Sequence, residues 1–154
     1  MIRVFTVTVA LLLLAGGAQA QNRITDFRGI KFGADFSTME HMSMPDERGG
    51  LTFYRKYQDD RNFQGVPLIE IKYGFFKNKL CLVLFSARSL DSFHALKAYF
   101  DANYGPAKQT KDLKQYTYAA GDVNIEFGYD DNRKVAEVSY IYRPIMRDLM
   151  PENK

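Results

Sequence analysis

The sequence predicts an α+β domain: a tandem αβββ repeat whose antiparallel sheet carries two helices packed on one face. Three observations predict it. Several segments alternate apolar and polar residues at the period of two that a half-buried strand requires. SLDSFHALKAYFDANYGP (89–106) carries Phe93, Leu96, Phe100 and Tyr104 at helical spacing. Three pieces of the first half recur in the second in the same order: FSTME (36–40) over FHALK (93–97), IEIKY (69–73) over IEFGY (125–129), and KLCLVLF (79–85) over KVAEVSY (134–140).

DFRGIKFG (26–33) alternates weakly and reads as a short first strand. DFSTMEHM (35–42) reads as a short helix, with Asp35 as its cap and Phe36, Met39 and Met42 on one face. PDERGG (45–50) stops it and forms a loop. LTFYRKY (51–57) is a strand of β-branched and aromatic residues, followed by the polar connection QDDRNFQG (58–65). PLIEIKYGFF (67–76) and KLCLVLFSA (79–87) form a hairpin turning at Lys77-Asn78. The helix at 89–106 starts at Ser89 or Asp91 and ends at Gly105-Pro106, where glycine accepts a left-handed cap and proline cannot continue the helix. KQYTYA (114–119), DVNIEFGYD (122–130) and KVAEVSYIY (134–142) are three more strands, with turn signals at Gly121-Asp122 and Asp131-Asn132. RPIMRDLMPENK (143–154) reads as a tail.

Residues 1–20 have the pattern of a signal peptide: a basic start at Arg3, a short apolar run, and a small-x-small site at Ala18-Gln19-Ala20. The expected mature chain begins at Gln21 and is periplasmic, with no membrane-spanning segment after cleavage. No cysteine stands at the cut to carry a lipid. The expected organisation is a signal peptide at 1–20, one domain at 21–145 in halves of about 21–88 and 89–145, and a C-terminal tail at 146–154. The single cysteine, Cys81, excludes an intrachain disulfide, so packing must supply the stability. The net charge of +3 is spread among both signs, which gives no footprint for nucleic acid.

LCLVLF (80–85) is too apolar for a strand with one face in water. Aligned on the second copy, Cys81, Val83 and Phe85 continue the buried face, and Leu80, Leu82 and Leu84 point the other way. A two-residue turn at Lys77-Asn78 reverses this assignment, because a one-residue slip exchanges the faces. Three solvent-exposed leucines would forgo about 5–9 kcal/mol, so something covers them. The cover is either intramolecular, from the tail residues Ile145, Met146, Leu149 and Met150, a loop or the other half, or a partner protein or dimer mate docking on Leu80, Leu82 and Leu84.

Met39, His41, Met42 and Met44 put four soft ligands in MEHMSM (39–44), a set suited to Cu(I) or Ag(I); the alternative is two core methionines beside a solvent-facing histidine. His94 reads as a surface histidine and Cys81 as buried filler. Asp130-Asp131-Asn132 lacks the alternating ligands of a calcium loop and reads as a turn, and Asp59-Asp60 as a solvated loop. No nucleophile elbow, zinc-protease motif or phosphate loop is present.

The tandem αβββ order resembles the β-lactamase-inhibitor-protein class and, more loosely, the small outer-membrane assembly lipoproteins. FRGIKFG (27–33) and the helix end YGP (104–106) resemble small exported proteobacterial proteins of unknown function. The first two groups present a sheet or helix surface to a protein partner. This chain departs from them in lacking disulfides and a lipidated cysteine. The resemblance implies a non-catalytic binding module for another envelope protein. The alternatives are a soft-metal binder and, last, a hydrolase-like enzyme whose cleft gathers distant carboxylates.

Overall fold

A computed structural model describes residues 22–110 and 114–149. The expected signal peptide and residues 150–154 of the tail lie outside the described residues. In chain order the elements are β1 (Asp26–Phe27), β2 (Ile30–Lys31), a 3-10 turn (Phe36–Thr38), β3 (Met42–Arg48), β4 (Leu51–Lys56), β5 (Asn62–Phe63), β6 (Val66–Pro67), β7 (Glu70–Phe76), β8 (Lys79–Arg88), α1 (Leu90–Tyr104), β9 (Lys108–Gln109), β10 (Gln115–Ala120), β11 (Val123–Asp130), β12 (Val135–Tyr142) and α2 (Arg143–Leu149). Among the described residues, eight strands form one antiparallel sheet in the order β3-β4-β7-β8-β12-β11-β10-β9, and β1–β2 and β5–β6 are separate hairpins. The class is α+β, with strand predominating.

The hairpins β7–β8 and β11–β12 meet at the middle of the sheet, where Val83 lies opposite Tyr140 and Phe85 opposite Val138. One sheet face buries the main core. α1 covers its second half with Phe93, Leu96 and Phe100, and the Phe93 and Phe127 rings stack at 4.9 Å. The two small hairpins cover the first half: Phe63 and Phe27 lie 4.8 and 5.9 Å from Phe85. The Ser89 side chain accepts the Ser92 N–H and caps α1. Gly105 leaves the helix in an extended rather than left-handed conformation (φ −64°, ψ 165°). Glycine is required there because a β-carbon would stand 2.5 Å from the Asp101 carbonyl oxygen.

The first expected helix, 35–42, is not helical. Asp35 caps only the 3-10 turn, accepting the Ser37 N–H at 2.9 Å, and Met39 is already extended. From Met42 the chain pairs with β4, Met42 opposite Lys56. A short helix starts with a costly nucleus, and the ladder supplies backbone partners instead. The loop expected at 45–50 is likewise mostly strand, with only Gly49-Gly50 turning. β3 is an edge strand, which is where a strand tolerates Pro45.

The two helices also lie on opposite faces rather than one. The tail segment Arg143–Leu149 forms α2, which packs on β8 and β12 over a second core of Leu51, Cys81, Leu82 and Met146. Ile145, Met146 and Leu149 share the apolar side of this helix, and Pro144 sits in its first turn, where a missing N–H costs nothing.

Both registers open for LCLVLF are present, one on each side of a β-bulge. Lys77 and Asn78 have φ of 47° and 62°, the geometry of a two-residue hairpin turn. Phe75 therefore lies opposite Leu80. The register then shifts: Gly74 lies opposite Leu82, Tyr73 opposite Val83 and Ile71 opposite Phe85, leaving Cys81 as the extra residue. Leu80, Val83 and Phe85 thus enter the main core, while Cys81 and Leu82 enter the second. A bulge between two buried faces is why the apolar run does not alternate.

Candidate functional site

α2 covers only part of its sheet face. Next to it, cross-strand pairing lines up Lys72, Leu84, Ser139, Glu126 and Thr117 across five strands. The following row is Glu70, Ser86, Glu137, Gly128 and Gln115. Ser86, Ser139 and Gly128 are small, so the middle of this surface is sunken. Three depressions adjoin on it. One of about 380 Å³ runs from Lys72 and Leu84 to Glu137 and Ser139. One of about 280 Å³ shares Glu137 and Ser139 and reaches Thr117 and Glu126. One of about 440 Å³ shares Glu126 and ends under α2 at Ile141 and Met146. The three adjoin through these shared residues and make up a trough across the sheet.

Charges are arranged around it. Glu70 accepts from Arg55 Nε at 2.9 Å and pairs with Lys72 at 3.5 Å. Partial burial works to raise the Glu70 carboxyl, but Arg55 and Lys72 outweigh it and hold it below the usual carboxylate range. Arg133 bridges Asp130 at 2.7 Å and Glu137 at 2.6 Å. The ion pairs of the described residues thus engage Glu70 and Glu137 but neither Glu126 nor Asp122.

The leucines expected at an interface separate in the structure. Leu80 is fully buried in the main core, and Leu82 is 8% exposed beneath α2. The bulge and α2 remove both from the surface. Leu84 is half-buried and lines the trough. The soft-ligand set separates too. Met39 and Met42 pack on the main core, while His41 is exposed and Met44, in the β3 irregularity, is 65% exposed. Four ligands on one ion are not what this segment presents. Cys81 is buried, and burial pushes its thiol up to about 11. Asp130 sits in the β11–β12 turn, accepting the Asn132 and Arg133 N–H groups at 2.9 and 3.0 Å. Among the described residues no group of three His, Cys, Asp or Glu side chains is placed to hold a metal ion. No described helix is long and apolar enough to cross a membrane.

Asp59 is not a solvated loop residue. Its side chain is 13% exposed and ion-paired with Arg28 at 3.3 Å. The partners are far apart in the chain, so no local signal marks them. The trough residues Glu126, Glu137 and Ser139 had a signal: they are the polar members of alternating strands whose other face is core.

No protein-family model matches the chain, and no curated protein matches it. Among solved structures, a cysteine-rich secretory protein from Staphylococcus aureus subsp. aureus Mu50 is similar, at 13% identity and a TM-score of 0.46, over 85% of this chain and 51% of that one. The chain spans about half the length of that protein.

Proposed function

We propose that the protein is an exported, periplasmic, non-catalytic module that binds another envelope protein through the trough on the α2 side of its sheet. The observation that carries this reading is the run of three adjoining depressions lined by Leu84, Ser139, Glu126 and Glu137. A mixed apolar and charged surface on a rigid sheet suits side-chain recognition of a protein partner. We also propose that the domain arose by duplication of a unit whose three strands persist in both halves, with its helix kept only as α1 and reduced to the 3-10 turn at Phe36–Thr38 in the first half. In the alignment of its halves Leu84 corresponds to Ser139, and these two residues pair directly across β8 and β12. A two-fold relation between the halves requires such a self-pair on its axis. On this view α2 belongs to one half only: it covers Leu82, and the counterpart Glu137 stays open. That accounts for leucines in one copy and polar residues in the other.

The test is affinity capture from cross-linked envelope extract, with the wild type beside Leu84→Lys. The expected result is one protein retained by the wild type and lost by the variant, with the same circular dichroism for both and the variant's melt lowered by no more than a few degrees. Equal capture, or none, removes the trough as an interface.

A further inference from the structure

The 440 Å³ cleft at the α2 end of the trough differs from its neighbours in the chemistry of its walls. Its floor is apolar, formed by Ile141 and Met146. One wall is the start of β11 and the turn residue before it, with Asp122, Asn124 and Glu126 on this side. The other is α2, with Arg143 and Arg147 one turn apart. The Arg143 guanidinium donates to the Gly121 carbonyl and is held at the cleft's end. No ion pair among the described residues joins the two walls. An apolar floor between an anionic and a cationic wall is complementary to a molecule with an apolar chain and a head bearing both charges.

A peptide strand suits the cleft less well. The floor's main-chain groups are spent in the sheet ladder, so peptide amides would lose water without gaining partners. Strand addition is disfavoured along β3 and β10 as well. β3 carries Pro45 and an irregularity, and β10 is covered by β9 and by the Ile24 N–H, which donates to the Ala120 carbonyl at 3.1 Å. The helix also carries Leu149 toward Gly50, at the other side of the sheet from Gly121. The volume lies within the small-molecule range of about 300–1,000 Å³.

We propose that this cleft binds a single-chain zwitterionic amphiphile. Its ammonium would face Asp122 and Glu126, its phosphate or carboxylate Arg143 and Arg147, and its alkyl chain would lie over Ile141 and Met146. This proposal goes beyond the protein-partner reading: the cleft shares Glu126 with the trough, but Leu84, whose variant tests that reading, does not line it.

The test is titration of the purified ¹⁵N-labelled protein below each amphiphile's micellar concentration. The probes are lauroyl lysophosphatidylethanolamine, Nε-lauroyl-lysine, dodecyl phosphate, dodecylammonium and dodecyl maltoside. At least one of the two zwitterions is expected to bind about tenfold or more tighter than the singly charged and neutral probes. The amide shifts should centre on Asn124, Ile141 and Met146. The preferred zwitterion tells a lipid-type phosphate head from an amino-acid head. Glu126→Gln and Arg147→Gln, both at exposed positions, should each reduce its binding to the level of a singly charged probe. Equal binding of all five probes, shifts elsewhere, or no binding would overturn the proposal.

Discussion

The Tyr73 hydroxyl donates to the Asp59 carboxylate at 2.7 Å, tying a core strand to the loop that precedes β5. Arg28 reaches the same carboxylate and also donates to the carbonyls of Asp60 and Asn62, so β1, the loop and β7 share one polar anchor. Burial, and then the Asp59 hydrogen bond and charge, push the Tyr73 hydroxyl far above the ordinary tyrosine range. Removing the hydroxyl leaves Asp59 with Arg28 alone. Tyr73→Phe should cost about 1.5–3 kcal/mol, as for a hydrogen bond to a charged group. Urea unfolding measures it, and a Tyr73→Phe/Asp59→Ala double-mutant cycle should return a coupling of the same order.

Leu82 and Leu84 are two residues apart on the same face and should respond oppositely. Leu82→Lys puts a charge beneath Met146 and should cost about 3 kcal/mol or more. Leu84→Lys places its ammonium in the open trough and should cost less than about 1 kcal/mol. Thermal melts of the two variants side by side check this.

Gly74 is buried opposite the bulge. A β-carbon there would stand 3.0 Å from Leu82 Cβ and 3.0 Å from Phe53 Cε1. Gly74→Ala should destabilise by about 1–3 kcal/mol through overpacking. Gly74→Ala/Phe53→Ala should restore part of that relative to the sum of the single losses, because truncating Phe53 removes the ring atom that crowds the new β-carbon.

Cys81 has its thiol pushed up to about 11 by burial, with the Phe76 backbone opposing. At pH 8 the thiolate fraction is on the order of one in a thousand. Iodoacetamide should leave the native protein unmodified over hours and label it within minutes in denaturant, as mass spectrometry would show.

Asp35 is held at about 2, below the ordinary 3.8, by the Ser37 backbone N–H first, then the Ser37 side chain and Lys79. A carboxyl lowered on folding stabilises the protein when ionised. That contribution is present above about pH 4 and is lost as the pH falls toward about 2. Asp35→Asn should flatten the acid limb of stability across that window. In Lys79→Met the carboxyl resonance of Asp35 should titrate higher, though still below 3.8, since the Ser37 contacts remain.

The helix α1 and the three strands of the second half were legible because each is long and keeps one period. The 35–42 segment shows the limit of that reasoning. Phe36, Met39 and Met42 do pack on the main core together. Three apolar residues at a spacing of three are equally served by a tight turn leading into extended chain, and the choice fell to the β4 partner, which is distant in sequence. The run LCLVLF could not be placed because a bulge changes its register midway, and nothing local to the run marks Cys81 as the extra residue. The apolar residues of α2 were visible as a cover for the leucines, but their helix forms against Leu51 and Leu82, residues on two different strands. The trough was half legible: alternation marked Glu137 and Ser139 as outward-facing, and the small residues that deepen it have meaning only across strands.

The pairing of β8 with β12 sets an order on how the molecule can be completed. A chain made or threaded amino end first has the hairpin β7–β8 well before Tyr142 follows. Until then β8 is an outer strand with an unused row of amides and carbonyls, and the Leu82 side of LCLVLF is uncovered. The last fifth of the chain supplies both missing pieces, the neighbouring strand and the helix that seals Leu82. A nascent chain stalled before residue 135 would therefore keep the Leu82 side of that run uncovered, and the sheet can close only once β12 has followed.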